Sequence, residues 1–358
     1  MNATAALPAK SPTNRQHRLE VAVAILLAAS IVAAFWGLQR YPALLKKLHS
    51  GSALHVGGAI SFDALLPVSP AMPLPGRVLR TAVNWLYTNR FGMYFALPFG
   101  AAMMTLLGQM QGRKQFRHTA ANVVCGAVAG APLGVCTNCA TPIGQSLLAG
   151  GASTRMTVAA MISSPSFNPV VIAMAFVLFP PKLAVPRLVA PALLLVALPL
   201  FVRERERPSL GIPMPEATAP FRRRALLLGK TFLRSLLRLT LMTLPWMLLA
   251  ALLGGLAAEA IPAYATHLPI SVVGVALVAI FGTLLPVPMA FDVGLAWVLY
   301  RSGVPVPYVA ALLCTLGPVS VYSLTALGQQ LGRGASVKMA CATALLGTVA
   351  GLVVMYGA

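Results

Sequence analysis

The sequence predicts an all-α polytopic membrane protein: an inverted repeat of transmembrane helices with two broken or re-entrant helical hairpins. Three observations lead there. Of 358 residues, 58% are hydrophobic and only 9% are charged, against about a quarter charged in soluble domains. The mean hydropathy is +0.80, so the length is best counted in spans of roughly 20 residues each. Finally, apolar segments recur in the same order on both sides of a basic linker, residues 203–235.

The net charge of +20 does not point to nucleic acid, because the basic residues cluster at span ends. They stand in GRKQFRH (112–118), RERER (203–207), FRRR (221–224) and the stripe Lys230, Arg234, Arg238. That distribution is the positive-inside pattern, with anionic lipid headgroups as the natural partner. A multi-pass protein of the cell inner (plasma) membrane is expected, with no nucleic-acid partner.

The elements follow in order. A polar tail precedes VAVAILLAASIVAAFWGL (21–38), which is longer than a signal-peptide core and lacks a clear cleavage site, so a retained first span is expected. Residues 39–91 read as an outer loop with an interfacial helix around RVLRTAVNWLY. A span at 93–110 comes next. The apolar stretch 119–150 is then broken at its middle by GAPLGVCTNCATP, leaving halves too short to cross a bilayer. Spans at 156–179 and 183–202 follow, then the linker.

The second half repeats this plan: a span at 236–257, a broken pair at 269–300, and spans at 305–328 and 336–356. Gly151 matches Gly303 and Pro165 matches Pro318, which lays the Cys136–Cys139 loop over Pro288–Phe291. The expected units are therefore 1–91 (tail, first span, outer loop), 92–202 (first repeat), 203–235 (basic cytoplasmic linker) and 236–358 (second repeat). With a cytoplasmic N-terminus the basic segments fall inside, provided each broken pair is a hairpin. The first hairpin then enters from the cytoplasm, the second from outside, and the C-terminus lies outside. Such an inverted repeat places a site at the membrane midplane.

Four readings are open for Cys136 and Cys139: a redox dithiol, half a metal site, transient soft ligands on a transport path, or inert buried thiols. A structural zinc site wants four ligands, and no second Cys pair is present. Around the same break, Asn138, Thr141 and Gln145 would join freed backbone amides, with Pro142 in the first turn of the returning half-helix. Ser164 and Asn168 in SSPSFNP place polar groups inside an apolar span. These side chains either meet substrate or cap broken helix ends. Asp292, in MAFDVG, is expected within a membrane element, either coupling a proton or cation or pairing with an amide or Arg. Its expected neighbourhood is the facing break, around Asn138 to Gln145.

GVCTNCATPIGQSLLAGGASTRMTVAAMISSPSFNPVV, with its echo LLPVPMAFDVGLAWVLYRSGVPVPYVAALLCTLGPVS, resembles the YraQ-type predicted permeases, the family that includes the organoarsenical efflux permease ArsP. The resemblance runs from about residue 92 to 355. It implies a polytopic inner-membrane fold and export of trivalent methylated or aromatic arsenicals through thiols. Carried onto this chain, it makes Cys136 and Cys139 the thiol ligands and Pro165, Asn168 and Pro169 core motif positions. The Cys-Thr-Asn-Cys-Ala pattern is looser than the family's usual Cys-x-Cys-Gly and would also suit another thiophilic ion or a thiol compound.

The expected function is thus a secondary permease exporting a small thiophilic species such as a trivalent organoarsenical or soft metal ion, with Asp292 as coupling residue. The expected substrate contacts are Cys136, Asn138, Cys139, Thr141, Pro142, Gln145, Ser164 and Asn168, the two thiols being transient metal ligands. No enzymatic activity and no cofactor are expected. No Walker A pattern is present, so ATP-driven transport would need a separate chain. A homodimer or an unknown partner subunit is compatible with this reading. The alternatives are a membrane thiol oxidoreductase using Cys136 and Cys139, or a channel or scaffold subunit.

Overall fold

A computed structural model describes residues 14–42, 45, 65–109, 119–204, 221–265, 269–288 and 291–357. Among these the fold is a multi-spanning bundle of helices without strands. Five stretches are long and apolar enough to cross a membrane: Leu74–Leu107, Thr154–Leu178, Pro181–Phe201, Ala225–Glu259 and Arg333–Tyr356.

Helix α1 (Asn14–Phe35) continues into a π-turn, Trp36–Arg40, and packs on α2 (Leu74–Gln109) through stacked Phe35 and Phe95 rings 4.1 Å apart. The expected outer loop 39–91 is corrected in two places. Arg40 is buried over the Phe35 ring, and residues 74–91 are the first turns of α2. Its 36 residues run to roughly 54 Å, well beyond a bilayer core of about 30 Å. The predicted boundary at 91/92 therefore falls inside one helix. Asp63 and the basic turn 112–118 lie outside the described residues.

Helix α3 (Thr119–Gly130), a single 3-10 turn (Ala131–Leu133) and α4 (Thr137–Ala149) make the first broken pair. It is followed by α5 (Thr154–Ser166) and α6 (Pro169–Leu178). Glycines fix how these run. A β-carbon on Gly126 would fall 2.1 Å from the Met156 carbonyl oxygen, and one on Gly130 would fall 2.4 Å from that of Ala160. So α3 runs parallel to α5 with backbones nearly touching, the kind of approach that small residues permit. Helix α4 reaches α5 through the short Gly150–Ser153 turn and runs against it, with Gly144 on Met161. Hence α3 and α4 are antiparallel, with the 131–136 break as the tip between them. Gly134, at φ +59° in its tip, takes a left-handed conformation that side chains disfavour.

Helix α7 (Pro181–Phe201) closes the first half and presents Val185, Val189, Leu193, Val196 and Leu200 outward. Residues spaced three and four apart form one apolar stripe, suited to lipid. The second half repeats the plan: α8 (Phe221–Ala265), α9 (Val272–Leu284), α10 (Phe291–Arg301), α11 (Val306–Thr315), α12 (Val321–Leu331) and α13 (Arg333–Tyr356). Gly274 sits on Tyr308 and Gly282 on Thr315, so α9 parallels α11 as α3 parallels α5. Helix α8 takes up residues 221–235 of the expected linker, Lys230 and Arg234 included, and continues through Arg238. Glu259 lies within α8 and pairs with Arg77 of α2 at 2.9 Å.

The two ends of α7 meet different turns. Just past its C-terminal end, Glu204 accepts from Ser153 Oγ (3.0 Å) and the Thr154 amide (2.6 Å), capping α5. Just before its N-terminal end, Phe179 lies edge-on to Trp297 at 5.6 Å and near Tyr300 at 5.8 Å, beside the Ser302–Pro305 turn between α10 and α11.

Candidate functional site

Four chain breaks converge at mid-bundle. Two are the hairpin tips, 131–136 and the segment from 285, described to 288. The other two interrupt what the sequence suggested were continuous Pro-containing spans, at Phe167–Asn168 between α5 and α6 and at 316–320 between α11 and α12. Each break ends one half-helix and starts another, so the amino ends of α4, α6, α10 and α12 are gathered at one level, each carrying a partial positive charge.

Side chains cap these ends because no water is expected there to do so. Cys136 is the N-cap of α4, its sulfur accepting from the Cys139 amide at 3.3 Å. Asn168 caps α6 by accepting from the Val170 amide at 2.9 Å, and its Nδ2 donates to the Gly134 carbonyl at 3.1 Å. Ser164 accepts from the Val135 amide at 3.2 Å. Asn168 and Ser164 thus hold the first tip against the α5–α6 break. Ser320 caps α12 in a reciprocal capping box with Ser323.

Two further side chains cross between the halves. Thr137 Oγ1 donates to the Gly317 carbonyl. Asn138 donates from Nδ2 to the Val287 carbonyl at 3.3 Å and accepts at Oδ1 from Ser320 Oγ at 3.2 Å. It therefore ties the first tip to both breaks of the second half. Thr141 donates back to the Thr137 carbonyl at 2.8 Å within α4. Pro142 is not in the first turn, as expected, but at the sixth position of α4, because the helix starts at Thr137. Lacking an N–H, it leaves the Asn138 carbonyl without its helical partner. Gln145 is buried further along α4.

A small cavity opens where the breaks meet. Its walls are Cys136 and Thr137 from the first tip, Pro165 and Val171 flanking the α5–α6 break, Val287, Pro288 and Asp292 from the second tip, and Leu316 with Gly317. Of the expected substrate contacts, Cys136 lines it, while Asn138, Cys139, Thr141, Pro142, Gln145, Ser164 and Asn168 are not among its walls. The sulfurs of Cys136 and Cys139 are 2.9 Å apart, and Cys139 is turned toward Gly92 of α2. Cys136 also approaches Asn89 Oδ1 of α2 at 3.5 Å. Among the described residues no group of three or more His, Cys, Asp and Glu side chains is placed to hold a metal. Two thiols suit a passing soft ligand better than a resident four-coordinate ion.

Asp292 reaches the cavity, but its partner is not in the 138–145 segment. Its Oδ2 accepts from Arg187 Nη2 of α7 at 2.6 Å, and both side chains are buried. The facing α4 side chains are occupied: Asn138 and Thr137 are spent on the second half's carbonyls and Ser320. Arg187 was missed, although an arginine inside LAVPRLVAPALLLVALPLFV is the signal that marks functional intramembrane charge. Gly317 makes room for the pair, since a β-carbon there would fall 2.5 Å from Arg187 Nη2. No family model, curated protein or solved structure matches this chain.

Proposed function

We propose that the chain is a secondary permease of the cell inner (plasma) membrane, moving a small thiophilic species through the cavity where the four breaks meet. The observation that carries this reading is the convergence of those breaks on Cys136 and Asp292. Discontinuous helices meeting at mid-membrane, with freed backbone groups and positive half-helix ends, are how transporters build substrate sites.

The arrangement is read as an inverted repeat. Supporting this, α2 to α7 and α8 to α13 run long helix, re-entrant pair, interrupted span, span. The turn after each re-entrant pair lies at the opposite end of α7. Arg155, Arg333 and Lys338 belong to the Glu204 end, where Val202 clusters with Leu331 and Met339. That end is assigned to the cytoplasm. The YraQ-type resemblance and its thiol-based arsenical export belong to the same reading, with Asp292 as coupling residue.

The test is transport in inverted vesicles with trivalent organoarsenicals, soft metal ions and oxyanions, with and without a pH gradient. Accumulation of a thiophilic species that Cys136→Ser abolishes is expected. A chain that moves none of them is not this permease. A second reading, a thiol oxidoreductase, is favoured by Cys136 at the N-cap and Cys139 at the third position of α4. Helix amino ends stabilise thiolates. Dithiol turnover without transport would select it.

A further inference from the structure

We propose that Arg187 and Asp292 form the polar half of the substrate site, and that the substrate is a small oxyacid bearing at least one un-ionised hydroxyl. The proposal rests on the permease reading and narrows its substrate class.

The pair is joined through one contact only, Nη2 to Oδ2 at 2.6 Å. Arg187 Nε and Nη1 and Asp292 Oδ1 are buried, and no protein group hydrogen-bonds to them. A guanidinium and a carboxylate can meet through two parallel bonds. Here the end-on contact leaves both half-satisfied, an expensive state inside a protein. Asp292 lines the cavity, and the guanidinium lies against Gly317, another lining residue.

What remains unpaired is therefore Nε and Nη1 of Arg187, a side chain just behind the cavity wall at Gly317, and Oδ1 of Asp292 on the wall itself. A metal cation would meet the carboxylate but face the guanidinium. A fully ionised anion would meet Arg187 but set a second negative charge beside Asp292. An acid carrying both an acceptor oxygen and a hydroxyl answers both groups at once. Cys136, on the same cavity wall, adds a soft ligand: its sulfur replaces one hydroxyl of a thiophilic central atom, that hydroxyl leaving as water with the thiol proton, and the other hydroxyl stays for the pair.

Three probes separate these elements in binding titrations on the full-length protein in lipid nanodiscs, with Cys125 and Cys341 replaced by Ala. Methylarsonous acid has hydroxyls and a thiophilic centre, methylboronic acid has hydroxyls alone, and mercuric ion is thiophilic without them. Arg187→Lys keeps the charge facing Asp292 but loses the planar fork. It should weaken both hydroxy acids by about tenfold or more and leave mercuric ion unchanged, whereas Cys136→Ser should weaken methylarsonous acid and mercuric ion but spare methylboronic acid. Should Arg187→Lys fail to fold, the neutral pair Arg187→Gln with Asp292→Asn carries the same test.

Absent binding of either hydroxy acid to the wild-type chain, or affinity unchanged in these variants, overturns the proposal. So does a parallel loss of mercuric ion, which would mark the pair as a structural clamp. Vesicle transport is read separately: binding without transport keeps the subsite and removes the permease, and transport indifferent to Arg187 does the reverse.

Discussion

Arg187 Nη2 stands 2.6 Å from Asp292 Oδ2, joining α7 of the first half to α10 of the second. Together with Thr137 to Gly317 and Asn138 to Val287 and Ser320, it is part of a polar seam between the halves at the level of the breaks. An apolar seam would hold as well in any register. A polar one is satisfied in few arrangements, so a relative movement of the halves has to exchange these partners, and the cavity changes with them.

Removing one member of the ion pair should be worse than removing both. Asp292→Leu alone leaves a buried guanidinium uncompensated and is expected to cost about 3–5 kcal/mol, while Arg187→Met with Asp292→Leu is expected to recover most of that. Thermal unfolding of the purified variants measures the difference. Equal, small effects of the single and double changes would show the pair to be solvated.

The multi-spanning helical class and the interruptions of the apolar stretches 119–150 and 269–300 could be read from the sequence because each is written in composition or in breaks of apolar runs. The breaks inside 156–179 and 305–328 were half-legible. Pro165 and Pro318 served only to set the register between the halves, and a proline by itself does not separate a kinked helix from two half-helices with their own caps. Asn168 and Ser164 stand out in the sequence for polarity in an apolar span. Their use in holding the tip at Gly134 and Val135 depends on neighbours distant in sequence. Arg187 shows the other limit: its partner lies 105 positions away, and no local pattern connects them. The lengths of α2 and α8 also escaped, because their polar ends look like loop until a facing helix, as at Arg77 and Glu259, gives them partners.

The opposed turns are expected on opposite faces of the membrane. In a chain with Cys125 and Cys341 replaced by Ala, Ala152→Cys and Ser302→Cys should be labelled by an impermeant maleimide from opposite sides of sealed vesicles. Labelling of both from one side would contradict the inverted arrangement.

The α3–α4 pair depends on close backbone approach to α5. Gly126→Ala and Gly130→Ala place a β-carbon within 2.4 Å of a carbonyl oxygen of α5, so each should lower the unfolding temperature clearly and reduce yield. Gly229→Ala in α8 meets nothing within 4 Å and should stabilise by up to about 1 kcal/mol through helix propensity. If all three behave alike, the packing of α3 on α5 is not as described.

The two cysteines should not be equivalent. Cys136 faces the cavity, caps α4 and approaches Asn89, whereas Cys139 is turned to Gly92. Serine can keep the cap, since its hydroxyl also accepts from a helix amide, but it is not a soft ligand. Cys136→Ser should therefore abolish transport of a thiophilic substrate with little change in unfolding temperature, while Cys139→Ser weakens it by removing the second sulfur, 2.9 Å from the first. Cys136→Ala should add a loss of stability of about 1 kcal/mol from the missing cap. Transport rates in inverted vesicles and unfolding curves on the same preparations separate the two roles. Full transport by the double Ser variant would return both thiols to packing alone.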